Sequence, residues 1–233
     1  MEAVVISIGA LPSHPLRGEQ GARRTGHATT TLIVAPPMHI LVDPGLPGPA
    51  IAARLDERAG ITPEQVTHVF LTRFTPDTAR GVKAFDGATW WTSQDEREAV
   101  GIGLAEQLRR LVIDDDPETL DIRARLEHDV AVLQRCEPAP DRLTGKRAER
   151  VDLFPLPGVS PGTAGLLLPL PGQTLLVCGD AVLTREHFER GRVPDDCFDV
   201  ASAQESFKEA AEIADILVPG RDNLIVNRMR QRL

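Results

Sequence analysis

The chain has 233 residues, 42% of them hydrophobic, enough for the core of one domain or of two closely packed halves. Its formal net charge is −8 and its arginines are scattered among acids, which excludes the basic stripe of a nucleic-acid-binding surface, so no DNA or RNA partner is expected. Nowhere do about 18 apolar residues run together, so no membrane-spanning helix is expected.

In chain order, Met1–Leu11 is apolar only briefly, carries Glu2 and lacks a basic leader, so it reads as a strand over Ala3–Ile8 rather than a signal peptide. Thr30–Ala35 and Ile40–Val42 form a predicted hairpin around Pro36, Pro37 and Met38. A helix is predicted over Pro49–Ala59, a strand over His68–Leu71, and helices over Gln94–Leu111 and Pro117–Gln134. Glu137–Asp152 is rich in Pro, Arg and Asp without a clear period and reads as a surface loop joining two halves. Strands follow at Gly165–Leu170, Thr174–Val177 and Ile216–Val218. The intervening helix Ala201–Ala214, capped by Ser202 or Asp199, sets Ala203, Phe207, Ala210, Ala211 and Ala214 on one side and Glu205, Lys208, Glu209 and Glu212 on the other, so one face must pack on a sheet. Three cysteines, Cys136, Cys178 and Cys197, share no C-x-x-C spacing; neither a disulfide framework nor a thiolate zinc site is indicated, and a reducing cytoplasm is the expected compartment. The whole is read as a single domain over residues 1–233.

Four segments, taken in order, carry a resemblance. Ile40-Leu41-Val42-Asp43-Pro44-Gly45 is a strand ending in Asp-x-Gly. Val69-Phe70-Leu71-Thr72-Arg73-Phe74-Thr75-Pro76-Asp77-Thr78-Ala79-Arg80-Gly81 is similar to a Leu-Thr-His-x-His-x-Asp-His-x-x-Gly loop. Pro157-Gly158-Val159-Ser160-Pro161-Gly162-Thr163 is similar to Pro-Gly-His-Thr-Pro-Gly-Ser, and Leu176–Asp180 with Val218–Asn223 to closing Gly-Asp and Pro-Gly-His-Asp motifs. Together they resemble the metallo-β-lactamase-fold hydrolases. The resemblance implies an α/β chain folded as an αββα four-layer sandwich, with its site at strand ends between the halves.

Where that family places metal-binding histidines, this sequence has Arg73, Thr75, Thr78, Val159 and Arg221; Asp77 and Asp180 alone keep the ligand type. A catalytic zinc takes three protein ligands and an open position. Valine donates nothing, a threonine hydroxyl is a poor ligand and an arginine repels a cation. No metal or other cofactor is therefore expected. Without ions, two carboxylates about 4 Å apart repel by roughly 4 kcal/mol at an effective dielectric near 20. Arg73 and Arg221 are expected to bridge Asp77 and Asp180 by charge-assisted hydrogen bonds.

Asp43 is read as a strand-end residue behind the ligand positions. His14, His27, His39 and His128 are read as exposed or locally bonded, and His68 as packing at the start of its strand. His187 follows Asp180 closely enough to line the same cleft and is, with Asp180, the candidate catalytic group, although a packing role is the better reading. The favoured function is a non-catalytic member of the superfamily that binds a small anionic ligand through Arg73, Thr75, Asp77, Thr78, Val159, Asp180 and Arg221, or serves as a structural partner. The alternative is a hydrolase of an ester, lactone or phosphoester using one weakly held zinc, manganese or iron ion, or none. A homodimer and a pairing with an active homologue are both open.

Overall fold

A computed structural model describes residues 1–111, 117–144, 150–228 and 230. Strands β1 (Glu2–Ser7), β2 (Thr30–Ala35) and β3 (Met38–Val42) run antiparallel, and β4 (His68–Leu71), β5 (Thr89–Thr92) and β6 (Cys136–Pro138) continue the sheet in parallel, in the order β1-β2-β3-β4-β5-β6. A second sheet has the order β11-β10-β9-β8-β7, built from β7 (Asp152–Pro155), β8 (Ala164–Leu170), β9 (Gln173–Gly179), β10 (Ile216–Pro219) and β11 (Ile225–Val226). Only β9 and β10 are parallel there.

The central strands are nearly continuous apolar runs because both of their faces are covered. Alternate residues of β2, β3 and β4 sort accordingly. Ile33, Ile40, Val42 and Phe70 face the second sheet and meet Leu166, Leu168, Val177 and Val218. Leu32, Leu41, Val69 and Leu71 face outward and are covered by Ile51 and Leu55 of α1 (Gly48–Ala59), with Phe85 and Trp90. On the far side, Leu176, Cys178 and Leu217 are covered by Phe188 of α5 (Arg185–Arg190) and by Phe207 and Ala210 of α6 (Val200–Ile213). Helices α3 (Gln94–Arg110) and α4 (Pro117–Arg135) pack on each other through Leu104, Leu126 and Leu133. The layers are therefore αββα. Burying one such Leu or Phe contributes about 1.5–3 kcal/mol.

Asp199 caps α6, its carboxylate accepting from the backbone N–H groups of Ala201 and Ser202 at 2.9 and 3.1 Å, which settles the choice between Asp199 and Ser202. The segment read as the loop Glu137–Asp152 differs in part: Glu137 and Pro138 pair with β5, Asp152 opens β7, and residues 145–149 lie outside the described residues. β5 was not foreseen. Its four residues are too few to establish a period, yet Trp90 turns outward and Trp91 inward, and both are buried. Nor was α5, whose sequence is mostly charged. It starts because Thr184 accepts from the His187 N–H, and it stops at Gly191 in the left-handed region.

Parallel pairing within β3–β4 and within β9–β10 brings four C-terminal strand ends to one edge of the sandwich. The Ala164 N–H donates to the Thr72 carbonyl across the sheets at 2.9 Å. Glycine permits the approach: a Cβ on Gly220 would stand 2.1 Å from Asp180 Oδ1, and one on Gly179, whose φ is 52°, would stand 2.4 Å from Thr72 Oγ1.

Candidate functional site at the strand ends

Asp43 directly follows β3, with a φ of 50°, and is 2% exposed. Its two oxygens accept from the Thr72 N–H at 2.9 Å and the Thr72 hydroxyl at 2.6 Å, pinning the end of β4. Burial pushes the Asp43 carboxyl up to about 7; the Thr72 donors oppose that, nearby Asp180 adds to it and Arg221 opposes it. It stands behind the cleft.

The chain then turns through Arg73 into the short helix α2 (Pro76–Ala79). Thr75 and Thr78 fold that turn: the Thr75 N–H donates to Thr78 Oγ1 at 3.1 Å, and the Thr78 hydroxyl, buried, donates to the Arg73 carbonyl at 2.8 Å. Asp77 thus leaves the first turn of α2 facing Arg221 from the second sheet.

The guanidinium of Arg221 lies side-on against Asp180, Nε donating to Oδ1 at 2.9 Å and Nη2 to Oδ2 at 3.0 Å, while Nη1 reaches Asp77 Oδ2 at 2.8 Å. Arg73 Nη1 lies 3.3 Å from Asp180 Oδ2. Arg80, one turn beyond Asp77, donates to Asp77 Oδ1 at 3.2 Å. Burial alone would raise the Asp180 carboxyl, but the charge and hydrogen bonds of Arg221, with the charge of Arg73, outweigh it and hold Asp180 below the usual carboxylate range. Burial would likewise lower Arg221, and Asp180 and Asp77 outweigh it, leaving that guanidinium more firmly protonated than usual. Among the described residues Arg73 thus meets Asp180 without reaching Asp77, and Arg221 spans the two carboxylates.

These groups line a cleft of about 400 Å³ with Leu11, Pro12, Leu183 and Pro194. Arg73, Thr75, Asp77, Asp180 and Arg221 are in its wall, and Thr78 is buried beneath it. Val159 and His187 are not in that wall. Val159 is buried where its loop meets the start of α6, its carbonyl accepting from the Phe198 N–H at 3.2 Å. His187 is 2% exposed; its Nδ1 pairs with Thr184 Oγ1 at 2.8 Å and its ring lies 5.7 Å from that of His14. Burial lowers its pKa, and the charge of His14 acts the same way. The first turn of α5 aims the imidazole into the interior, away from the cleft. The expectation that His14 is exposed or locally bonded also needs correction. It is buried, with Nε2 near Thr184 Oγ1 at 3.3 Å and Glu186 Oε2 at 3.4 Å, residues some 170 positions away.

Two further residues shape the site without having been singled out in the sequence. Arg80 could have been found from its spacing, since a residue three positions after Asp77 in a helix shares its face. Glu96 could not. It sits in the first turn of α3, 1% exposed, and accepts from the Phe74 N–H at 2.7 Å and the Ser160 hydroxyl at 2.5 Å, tying the loop after Arg73 to the Val159 loop of the other half.

Two facing sheets with outer helices and a cleft at the shared strand ends define the class, an αββα sandwich. A model of the metallo-beta-lactamase superfamily matches residues 23–220, and the chain belongs to that superfamily. Among solved structures, a metallo-beta-lactamase-type protein from Thermotoga maritima is 18% identical with a TM-score of 0.65, the match covering 97% of this chain and 98% of that one. AidC, a dizinc quorum-quenching lactonase, is 17% identical with a TM-score of 0.63, over 82% of this chain and 71% of that one. AiiA of B. thuringiensis, solved with N-decanoyl-L-homoserine at its active site, is 19% identical with a TM-score of 0.60, over 94% and 89%. At these identities the likeness is one of fold. No curated protein matches.

Proposed function

We propose that this chain is a metallo-beta-lactamase-fold protein in which a guanidinium–carboxylate cluster stands where the family holds metal, and that it binds a small anionic ligand in the cleft rather than acting as a zinc hydrolase. The observation that carries the reading is Arg221, whose side-on fork engages both oxygens of Asp180 and whose third nitrogen reaches Asp77. An ion in that place would have to displace a permanent cation from its two carboxylates. Two carboxylates also fall short of the three ligands a catalytic zinc takes. Thr78 is engaged with the backbone and Val159 offers no donor atom. Among the described residues, no group of three or more His, Cys, Asp or Glu is placed to hold an ion. The residues present do not fit the family's metal pair.

In this reading the protein works alone, as a homodimer, or as the structural partner of an active homologue, without nucleic acid or membrane. Three free cysteines suit a reducing, cytoplasmic setting. Among the described residues no helix is long and apolar enough to cross a membrane.

The lactonase activity named for AidC favours a second reading, hydrolysis of an ester, lactone or phosphoester with one weakly held ion on Asp77 and Asp180, or with none. Elemental analysis of the full chain purified without chelator separates the two, run beside esterase, lactonase and phosphodiesterase assays with added zinc, manganese and iron. The expected outcome is trace metal and no turnover. Stoichiometric metal with turnover would establish the hydrolase.

A further inference from the structure

The three guanidinium groups of the cluster are not equally committed. Arg221 donates from all three of its nitrogens, and only 6% of its side chain is exposed. Arg80 divides its donors between Asp77 and the Gly26 carbonyl. Arg73 is different. The one carboxylate oxygen it approaches, Asp180 Oδ2, already accepts from Arg221 at 3.0 Å and lies 3.3 Å from Arg73 Nη1. Its Nε is buried and has no acceptor among the described residues. Its side chain is 19% exposed and lies in the cleft wall.

A buried donor without an acceptor costs about 1–3 kcal/mol. Arg73 adds its charge to that of Arg221 in holding Asp180, but it does so through Nη1 alone, and that contact leaves Nε unengaged. What Arg73 keeps for a ligand is a permanent positive charge on the part of its side chain that stays open to the cleft, Nε itself lying out of reach of solvent. Leu11, Pro12, Leu183 and Pro194 form the apolar part of the cleft wall, beside the charged cluster, Thr75 and the exposed Asp196. One undercommitted cation balances one negative charge. A second charge on the ligand would face Asp77, Asp180 and Asp196 without a partner.

We propose that Arg73 is the ligand-reading residue of this cleft, docking the carboxylate of a small organic acid whose apolar part lies against Leu11, Pro12, Leu183 and Pro194. Arg221 remains on Asp180 and Asp77 throughout, as the residue that holds the two sheet ends together. The inference rests on the metal-free reading of the site and refines it to a monoanionic carboxylate.

The test uses the full chain after chelator treatment, with calorimetric titration and thermal unfolding in benzoate, benzamide, acetate and inorganic phosphate. Benzoate is expected to bind and to raise the unfolding midpoint. Benzamide, of the same shape without the charge, is expected not to bind, and acetate, without the apolar part, to bind at least about tenfold more weakly. Arg73→Gln should lose at least about tenfold in benzoate affinity while unfolding within a few degrees of the parent. Arg73→Lys, which keeps the charge but not the guanidinium, should fall between them. The proposal is overturned if benzoate does not bind, if phosphate binds more tightly than benzoate, or if Arg73→Gln binds benzoate as tightly as the parent. Should Arg73→Gln fail to fold, equal benzoate affinity in Arg73→Lys and the parent overturns it instead. Metal content, measured on the same preparations before chelation, tests the metal-free reading separately.

Discussion

Arg221 and Asp180 form a buried pair in which each group depends on the other. Breaking such a pair from one side leaves an uncompensated charge in the interior, which typically destabilises by about 3–5 kcal/mol. Arg221→Gln is therefore expected to lower unfolding stability in urea by about that amount, and Arg221→Lys to recover only part of it, because an ammonium cannot span both oxygens of Asp180 and reach Asp77. A loss below about 1 kcal/mol, the range of exposed pairs, would contradict the geometry. Asp43 responds to pH in the opposite sense from a paired carboxylate. Its folded value, about 7, lies above its unfolded one, so the folded state holds its proton more tightly. The stability it contributes is full below about pH 4 and declines as pH rises to about 7. Asp43→Asn removes that decline, so the stability of the variant relative to the parent should improve steadily from about pH 4 to 7; a flat difference would contradict the burial argument. Asp180 titrates in the other direction in both proteins and cancels from the comparison.

Elements carry these residues by devices only partly written in the sequence. Arg73 and Arg221 could be placed because four motifs fix their frame, and Asp43, Asp77 and Asp180 with them. The inward aim of His187 could not, because it depends on where the Thr184 cap starts α5, in a stretch with no apolar period. Val159 lies outside the cleft wall for a related reason: its loop is shaped by contacts with α6 and α3 that no local pattern records. The clearest such device is Glu96, an acid in the first turn of a helix, where the dipole favours it. Its two oxygens join the loops of both halves. Glu96→Gln presents an amide group to one of its two donors, Phe74 N–H or the Ser160 hydroxyl, and should destabilise by about 1–3 kcal/mol. Hydrogen exchange at the Phe74 amide is expected to quicken in that variant; unchanged protection would mean that the clasp contributes nothing to the loop.

At the scale of the molecule, the layered fold follows from apolar runs long enough for two-sided burial, and those runs are what the sequence displays most openly: Thr30–Ala35, Ile40–Val42 and Thr174–Val177 all fall within observed strands. What escaped were short pieces whose partners supply the order, such as β5, β6 and β11. The three apolar layers close on their own, and in the proposed reading only the strand ends need charge compensation. Arg73, Arg80 and Arg221 meet the carboxylates there from within the chain. The direct test is a zinc titration of the chelator-treated protein followed by its unfolding midpoint, since a specifically bound ion stabilises by mass action. The account predicts a midpoint that does not move as zinc is added. A saturable rise reaching a plateau at one or two ions per chain would contradict it.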